Sequence, residues 1–538
     1  MSTRHRPLYL VIALAWFAAC SGRGSIPTNP IPQAVLPGSA PSAPNRNELP
    51  EPPVVKAVNG VARVALIVND NKATGQPEFE FDGMANVAPT IDVKPGETFV
   101  MDVKDDLSKV IPPNVKPARG QALEEDINIH FHGLGSSPKK PGDDVLTVLA
   151  EPGQRLHYVV HVPANQEPGL YWYHPHVHTQ TSFQVGASGM SGAIVIEGIE
   201  KHLPGLGKMK QRLIVVRATG KGGEDPTDDD AAGEGMGAMP TGTARPMNSN
   251  TSPCTTQDGL TVTLNDVSAP DITIAPGEKQ FFRVVNATGH KTLKLAVDGE
   301  KLQLVAIDGF ALDTYRGTPP TESEPYLIVP PAARVEFIVA GPRNGHAHFR
   351  TLCYNTGPNG DPDPPWLLAR LVAPKGKASG GDFSSQPLTV GSPLPQNVYT
   401  TQLPPPAAKR TAIFSENQKP QFFINGQRFS MKSPPMFVVH VGTVEEWHIV
   451  NVTQEIHDFH IHQIHFVVEK INGVKVAHPF WADSVIIPHR YAEGNRDVPG
   501  TLDLLMDFRD PIIKGEFLFH CHILDHEDQG MMAKIEAI

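Results

Sequence analysis

The sequence predicts an all-β chain built from consecutive β-sandwiches, on three observations. Turn formers are dense: 47 glycines and 53 prolines make up nearly a fifth of the 538 residues. Charged residues are 19%, below the roughly 25% of an average soluble domain, so long helical bundles and coiled coils are excluded. Short apolar or alternating runs recur between Gly/Pro turns, at residues 98–103, 193–196, 212–216, 280–285, 334–339, 436–441 and 516–519, which is the rhythm of sandwich strands. The length itself, at about 150 residues per domain, calls for three or four domains.

In chain order, Arg4 and Arg6 precede an apolar run over residues 7–19. The run is too short to span a bilayer and suits a secretory signal, so residues 1–19 are expected to be a signal peptide and the mature protein to have no transmembrane helix. Phe17-Ala18-Ala19-Cys20 resembles a lipoprotein processing site, which predicts a periplasmic or outer-membrane protein acylated at Cys20, with simple cleavage as the alternative. Arg4-His5-Arg6 is not a twin-arginine pair, so export in an unfolded state is expected, with metals loaded afterwards. Residues 20–54, rich in Pro, Ser and Asn, read as a tether. Sandwich domains are placed at 55–200, 201–375 and 411–538, with a Pro-rich linker at 376–410. Residues 219–253 read as a disordered loop carrying five acids between Glu224 and Asp230, then Met236, Met239 and Met247. A copper-capturing methionine patch is its alternative reading.

The 46 basic and 57 acidic side chains leave a net charge of −11. No basic run is long enough to track a phosphate backbone, so nucleic acid is not an expected partner. Four cysteines are too few for a disulfide scaffold. Cys254 and Cys353 either form one disulfide, as an exported chain allows, or stay as two buried thiols.

Histidine carries the chemistry. Chance would give the 23 histidines roughly one His-x-His pair, yet there are six: His130/His132, His174/His176, His176/His178, His346/His348, His460/His462 and His520/His522. In a strand, residues i and i+2 share a face about 7 Å apart, so each pair can aim two imidazoles at one site. Imidazole suits copper, iron, zinc and nickel alike. The C-terminal run His520-Cys521-His522, then His526 and Met531, narrows the choice. On a strand Cys521 faces away from His520 and His522, which puts one metal site on each side of a single backbone segment. Cys521, His526 and Met531 are three ligands of a trigonal His₂Cys site with a weak axial Met, the set used by blue copper. His457, one step out of phase with His460/His462, supplies the second imidazole.

In these motifs the chain resembles the three-domain multicopper oxidases, the group of laccases, bilirubin oxidases and bacterial copper efflux oxidases. The resemblance covers about residues 55–538 and implies three consecutive cupredoxin-like Greek-key β-sandwiches. It implies four copper ions: a type 1 copper on His457, Cys521, His526 and Met531, a type 2 copper on His130 and His460, and a type 3 pair on His132, His174, His176, His462, His520 and His522. The first and third domains then share the three-copper cluster, and the middle domain is a spacer whose Ala306-Ile307-Asp308-Gly309 and Arg334-Val335-Glu336 resemble the family's strands. Asp458 stands where many members have proline. Glu527, and Asp143 with Asp144 as the alternative, match acids that deliver protons in the family. His178, His465 and the pair His346/His348 match no ligand position. The expected activity is one-electron oxidation of cuprous ion, ferrous ion or a phenolic or other aromatic compound, coupled to four-electron reduction of O₂ to water. The alternative is a periplasmic copper-sequestering protein. A monomer is expected.

Overall fold

The computed structural model describes residues 48–108, 123–220, 254, 259–315, 318–374, 390, 399, 402–417, 421–494 and 496–538. The expectations for the signal peptide, Cys20, most of the tether and loop residues 221–253 fall outside these residues. Strands dominate the rest, and all seven segments expected to be extended contain a strand. The run at 436–441 is extended only over Phe437–Val439.

Three sandwiches follow one another. In the first, a sheet ordered Met84–Ala85, Pro77–Phe81, Val61–Asp70, Thr98–Asp105, Arg155–His161 shares its core with a second sheet. That second sheet runs Val54–Lys56, Thr90–Val93, Gly192–Ile196, Gly169–His174, His130–His132. Val61–Asp70 alternates buried and open positions with period two, so Ala62, Val64, Leu66 and Val68 all point inward. The middle sandwich sets a seven-stranded sheet against a five-stranded one. The last sets a six-stranded sheet against the order Phe437–Val439, Met532–Ala537, Gly515–Cys521, His457–Ile461, Ser484–Ile487. The cores of the middle and last sandwiches run together as one cluster.

Two boundaries differ from expectation. The tether ends early, because Leu49 is buried in the middle sandwich's core and Glu48 binds Arg212 and Thr273 there. The last sandwich begins at Ala408, inside the expected linker, because that strand pairs with Thr443–Asn451. Cys254 and Cys353 are joined as a disulfide within the middle unit, Cα atoms 5.3 Å apart.

The last sandwich is clasped to the other two. The short helix Leu524–Asp528 packs against the turn Ser182–Ala187 of the first sandwich. There Asp528 accepts hydrogen bonds from Ser182 N–H and Oγ (both 2.7 Å) and from Thr181 N–H (3.2 Å). Leu524 N–H donates to Gly289 of the middle unit at 3.0 Å. Gly289 is left-handed, and a Cβ there would lie 2.9 Å from the Gly186 Cα, so glycine is what permits the approach.

Candidate metal centre

Pairing register assembles the site. His130–His132 lies antiparallel to Gly169–His174 with His130 opposite His174, and His457–Ile461 lies beside Gly515–Cys521 with His460 opposite His520. Both strands that begin with a histidine are buried along their whole length, because the first and last sandwiches meet over them. His130 stacks on His462 (ring centroids 3.8 Å apart) and His132 on His460 (3.9 Å). The ligand atoms of His132, His174 and His522 lie within 4.8 Å of one another, and so do those of His176, His462 and His520 and those of His130, His132 and His460. All eight imidazoles expected around a trinuclear cluster are therefore gathered, and the six expected around a metal pair fall into two triads.

On the other face of Cys521 lies a fourth group, His457, Cys521 and His526. The Cys521 sulfur is 3.8 Å from His457 Nδ1 and 3.7 Å from His526 Nδ1, and the two nitrogens are 3.0 Å apart. Met531 is fully buried and tied to both chain ligands: its N–H donates to the His526 carbonyl (2.9 Å) and its carbonyl accepts from Cys521 N–H (3.0 Å).

The outer nitrogens show that the rings are set for a metal. A metal-bound imidazole uses one nitrogen and is oriented by a hydrogen bond at the other. Here His130 Nδ1 faces Asp143, His174 Nδ1 the Pro175 carbonyl, His460 Nδ1 the Asp483 carbonyl and His520 Nδ1 the Cys521 carbonyl. His132 is turned over, with Nε2 on Asp483 at 3.1 Å, and His457 Nε2 faces Thr453 Oγ1 at 3.0 Å. The inward nitrogens His130 Nε2, His132 Nδ1, His174 Nε2 and His460 Nε2 are buried with no partner at all. Unbonded buried polar atoms are costly, and four of them within these adjoining triads fit bound cations. The 3.3 Å between His176 Nε2 and His520 Nε2 and the 3.2 Å between His462 Nε2 and His520 Nε2 suit nitrogens each about 2 Å from a shared ion.

Burial lowers the proton affinity of His130, His132, His174, His176, His457, His460, His462, His522 and His526, which keeps the rings neutral and their lone pairs available. Burial raises the Cys521 thiol well above its ordinary range, so a cation must displace its proton. Asp143 reaches both His130 Nδ1 (2.9 Å) and Gln463 Nε2 (2.7 Å) and is pushed up to about 7 by burial, against the pull of the Phe131 N–H. Asp144 instead caps the turn at Leu146 and Thr147. Glu527 lies 3.0 Å from His520 Nδ1 and 3.5 Å from His176 Nε2. Burial would raise its carboxyl, but those imidazoles hold it below the usual range.

Asp483 belongs to no motif in the sequence. Its carboxylate faces His132 at 3.1 Å and His465 at 3.2 Å, and is gripped by Arg334 Nη1 and Nη2 at 2.7 and 2.6 Å. All four side chains are buried. Asp308 completes the knot by accepting Asp483 N–H, Ser484 N–H and Arg334 N–H. One cation supports one anion here: Arg334 outweighs burial to hold Asp483 far below its usual range, while burial lifts Asp308 to about 7. The middle unit is thus more than a spacer, since its Arg334 fixes a carboxylate that orients cluster histidines. His178 packs edge-on against Phe429 and joins no group, and His346 and His348 lie exposed on the middle unit.

Known proteins share sequence and fold with this chain. Three family models, each described as "Multicopper oxidase", match residues 120–201, 221–318 and 402–537. The chain is 24% identical to a multicopper oxidase of Staphylococcus haemolyticus over 77% of each chain. It is 22% identical to a laccase of Bacillus subtilis, over 83% of this chain and 88% of the other. Among solved structures, the Campylobacter jejuni multicopper oxidase described as a metallo-oxidase superposes with a TM-score of 0.67 at 22% identity, covering 92% of this chain and 96% of its own. The McoA multicopper oxidase of Aquifex aeolicus gives 0.65 at 19%, covering 92% and 99%; at these identities the likeness is one of fold. With three models of one family falling in order along a single sequence, over more than half its length, the chain belongs to the multicopper oxidases as a laccase-like enzyme that uses O₂ and a reducing substrate.

Proposed function

We propose that the protein is an exported, monomeric four-copper oxidase whose physiological reductant is a metal cation, cuprous or ferrous. His457, Cys521, His526 and Met531 would hold the mononuclear copper, His130 and His460 the type 2 copper, and the triads His132/His174/His522 and His176/His462/His520 the type 3 pair. Copper in these sites supplies one-electron redox chemistry, taking electrons singly from a reductant and giving four to O₂ to make water. Cys521 lies between His520 and His522, so the two ligand sets share the shortest possible run of backbone. The N-terminal apolar run and Cys20 support export and a lipid anchor.

One observation carries the choice of cation. His526 is the ligand that solvent reaches, at 9% exposure against 0% for His457 and Cys521. Its Nε2 lies 3.7 Å from Glu455 Oε1, which is hydrogen-bonded to Glu416, with Asp361 close by. A metal cation gains more from such carboxyls than a neutral phenol does. The Campylobacter relative described as a metallo-oxidase supports the same reading. On the cluster side, Asp143 at His130 and Glu527 at His520 are the acids proposed to hand protons to reducing O₂.

The test is elemental analysis of the copper-loaded protein, with O₂ uptake measured on cuprous ion, ferrous ion and a phenol. Four coppers per chain and turnover are expected, with both the blue colour and turnover lost in Cys521→Ser. Glu455→Gln should reduce kcat/KM for the metal ions and leave the phenol rate alone. A protein that binds copper and consumes no O₂ is a store.

A further inference from the structure

Residue 458 touches the mononuclear site through its backbone. Asp458 is buried between His457 and Phe459, and its N–H points at the Cys521 sulfur, N to Sγ 3.4 Å. Its carbonyl accepts the His522 N–H at 2.8 Å, so the backbone of this one residue ties the strand His457–Ile461 both to the cysteine sulfur and to the residue that follows it. Ile523 provides a second N–H toward the sulfur. Proline, which many multicopper oxidases carry at this position, has no N–H to give.

Hydrogen bonding around the cysteine sulfur is one of the quantities that set the potential of a His₂Cys copper site. A thiolate lends electron density to the oxidised metal. A donor at the sulfur draws that density away, which weakens the support for the oxidised ion and favours the reduced one. The site is buried, so bulk solvent does not replace a lost donor and the Ile523 N–H alone is left to offset the thiolate.

We propose that the Asp458 N–H is a positioning group for electron transfer: by binding the Cys521 sulfur it raises the reduction potential of the mononuclear copper above that of the same site with proline at residue 458. The peptide group rather than the carboxyl acts, so any residue but proline preserves the effect. The proposal rests on the assignment of His457, Cys521 and His526 as copper ligands.

A redox titration of the copper-loaded protein, followed at its thiolate absorption, tests it. Asp458→Pro removes the N–H, and Asp458→Ala keeps the N–H while removing the carboxyl. Asp458→Pro should shift the equilibrium with a fixed mediator about tenfold toward the oxidised form, which for one electron is about 59 mV. Asp458→Ala should shift it by less than about a third of that. An unchanged potential in Asp458→Pro, or an equal drop in Asp458→Ala, overturns the proposal. Should Asp458→Pro fail to fold, pulsed EPR of the wild-type protein labelled with ¹⁵N-aspartate decides. The mononuclear signal should couple to an aspartate amide nitrogen, and no coupling overturns the proposal. A wild-type protein with bound copper and no thiolate absorption would instead defeat the ligand assignment.

Discussion

Replacing Arg334 by methionine tests how far the middle sandwich supports the histidine cluster. The guanidinium is fully buried and donates to both Asp483 oxygens at 2.7 and 2.6 Å, to the Leu170 carbonyl at 3.2 Å and to the Ala332 carbonyl at 3.3 Å. Methionine fills much of the same volume, so the loss is electrostatic. Asp308 can take up a proton, being already raised to about 7 by burial. Asp483 cannot do so cheaply, because it also serves His132 and His465. Stranding one member of a buried pair costs about 3–5 kcal/mol, and that is the destabilisation expected in urea denaturation of the copper-free protein. Asp483→Asn leaves the arginine paired only with Asp308, 3.4 Å from Nη1, and should cost less than Arg334→Met but more than about 1 kcal/mol. The double variant leaves neither charge unpaired and should fall short of the sum by about 2 kcal/mol or more. A single-variant cost below about 1 kcal/mol, or simple additivity on the same unfolding transition, would refute the argument that this pair links the middle unit to the site.

Three further outcomes follow from the geometry. Glu527→Gln should lower kcat by ~10²-fold or more while the blue absorption and copper content stay intact; an unchanged kcat with a saturating fast reductant removes Glu527 from proton delivery. In the copper-free protein, burial holds the cluster histidines below their ordinary value of 6.5, so below that pH the unfolded chain binds more protons than the folded one. Stability should therefore fall with pH, by ~1.4 kcal/mol at about pH 5.5 for each histidine that stays neutral, and a urea midpoint flat across this range contradicts it. Converting Cys254 and Cys353 to serine opens a link across 99 residues of sequence and should cost about 2–5 kcal/mol, read from the unfolding of the middle unit.

The clustered histidines and Cys521 were legible because metal chemistry leaves a local signature: two imidazoles at i and i+2 on a strand, and a thiol one step out of phase between two of them. Each fact lies within a few residues of sequence. The pairing of Asp483 with Arg334 was not legible, since an acid and a base 149 positions apart do not stand out among the 57 acidic and 46 basic side chains until three sandwiches pack together. Glu455 was missed for a related reason: its meaning lies in facing the outer edge of His526 across a fold. Strand positions followed from apolar runs between turns, while the tether's end did not, because a single buried Leu49 in a proline-rich stretch has no periodicity to announce it.

The clasp made by Asp528 and Leu524 bears on how such a protein is born. A chain emerging from its N-terminus completes the first sandwich early, with His130, His132, His174 and His176 already in place, yet these four form no triad by themselves. Their partners His520 and His522, and Cys521 with them, arrive near the very end, and the docking of Leu524–Asp528 against Ser182 and Gly289 helps to close the two halves. Contacts spanning this much sequence form slowly. During that interval the early histidines are an open, incomplete chelator, and a polypeptide stopped short of Gly515 would hold two finished sandwiches and no oxidase. A metal that reached the chain before its last strands would meet an incomplete set of histidines, so completing the chain first and metallating it afterwards is the order that this topology rewards.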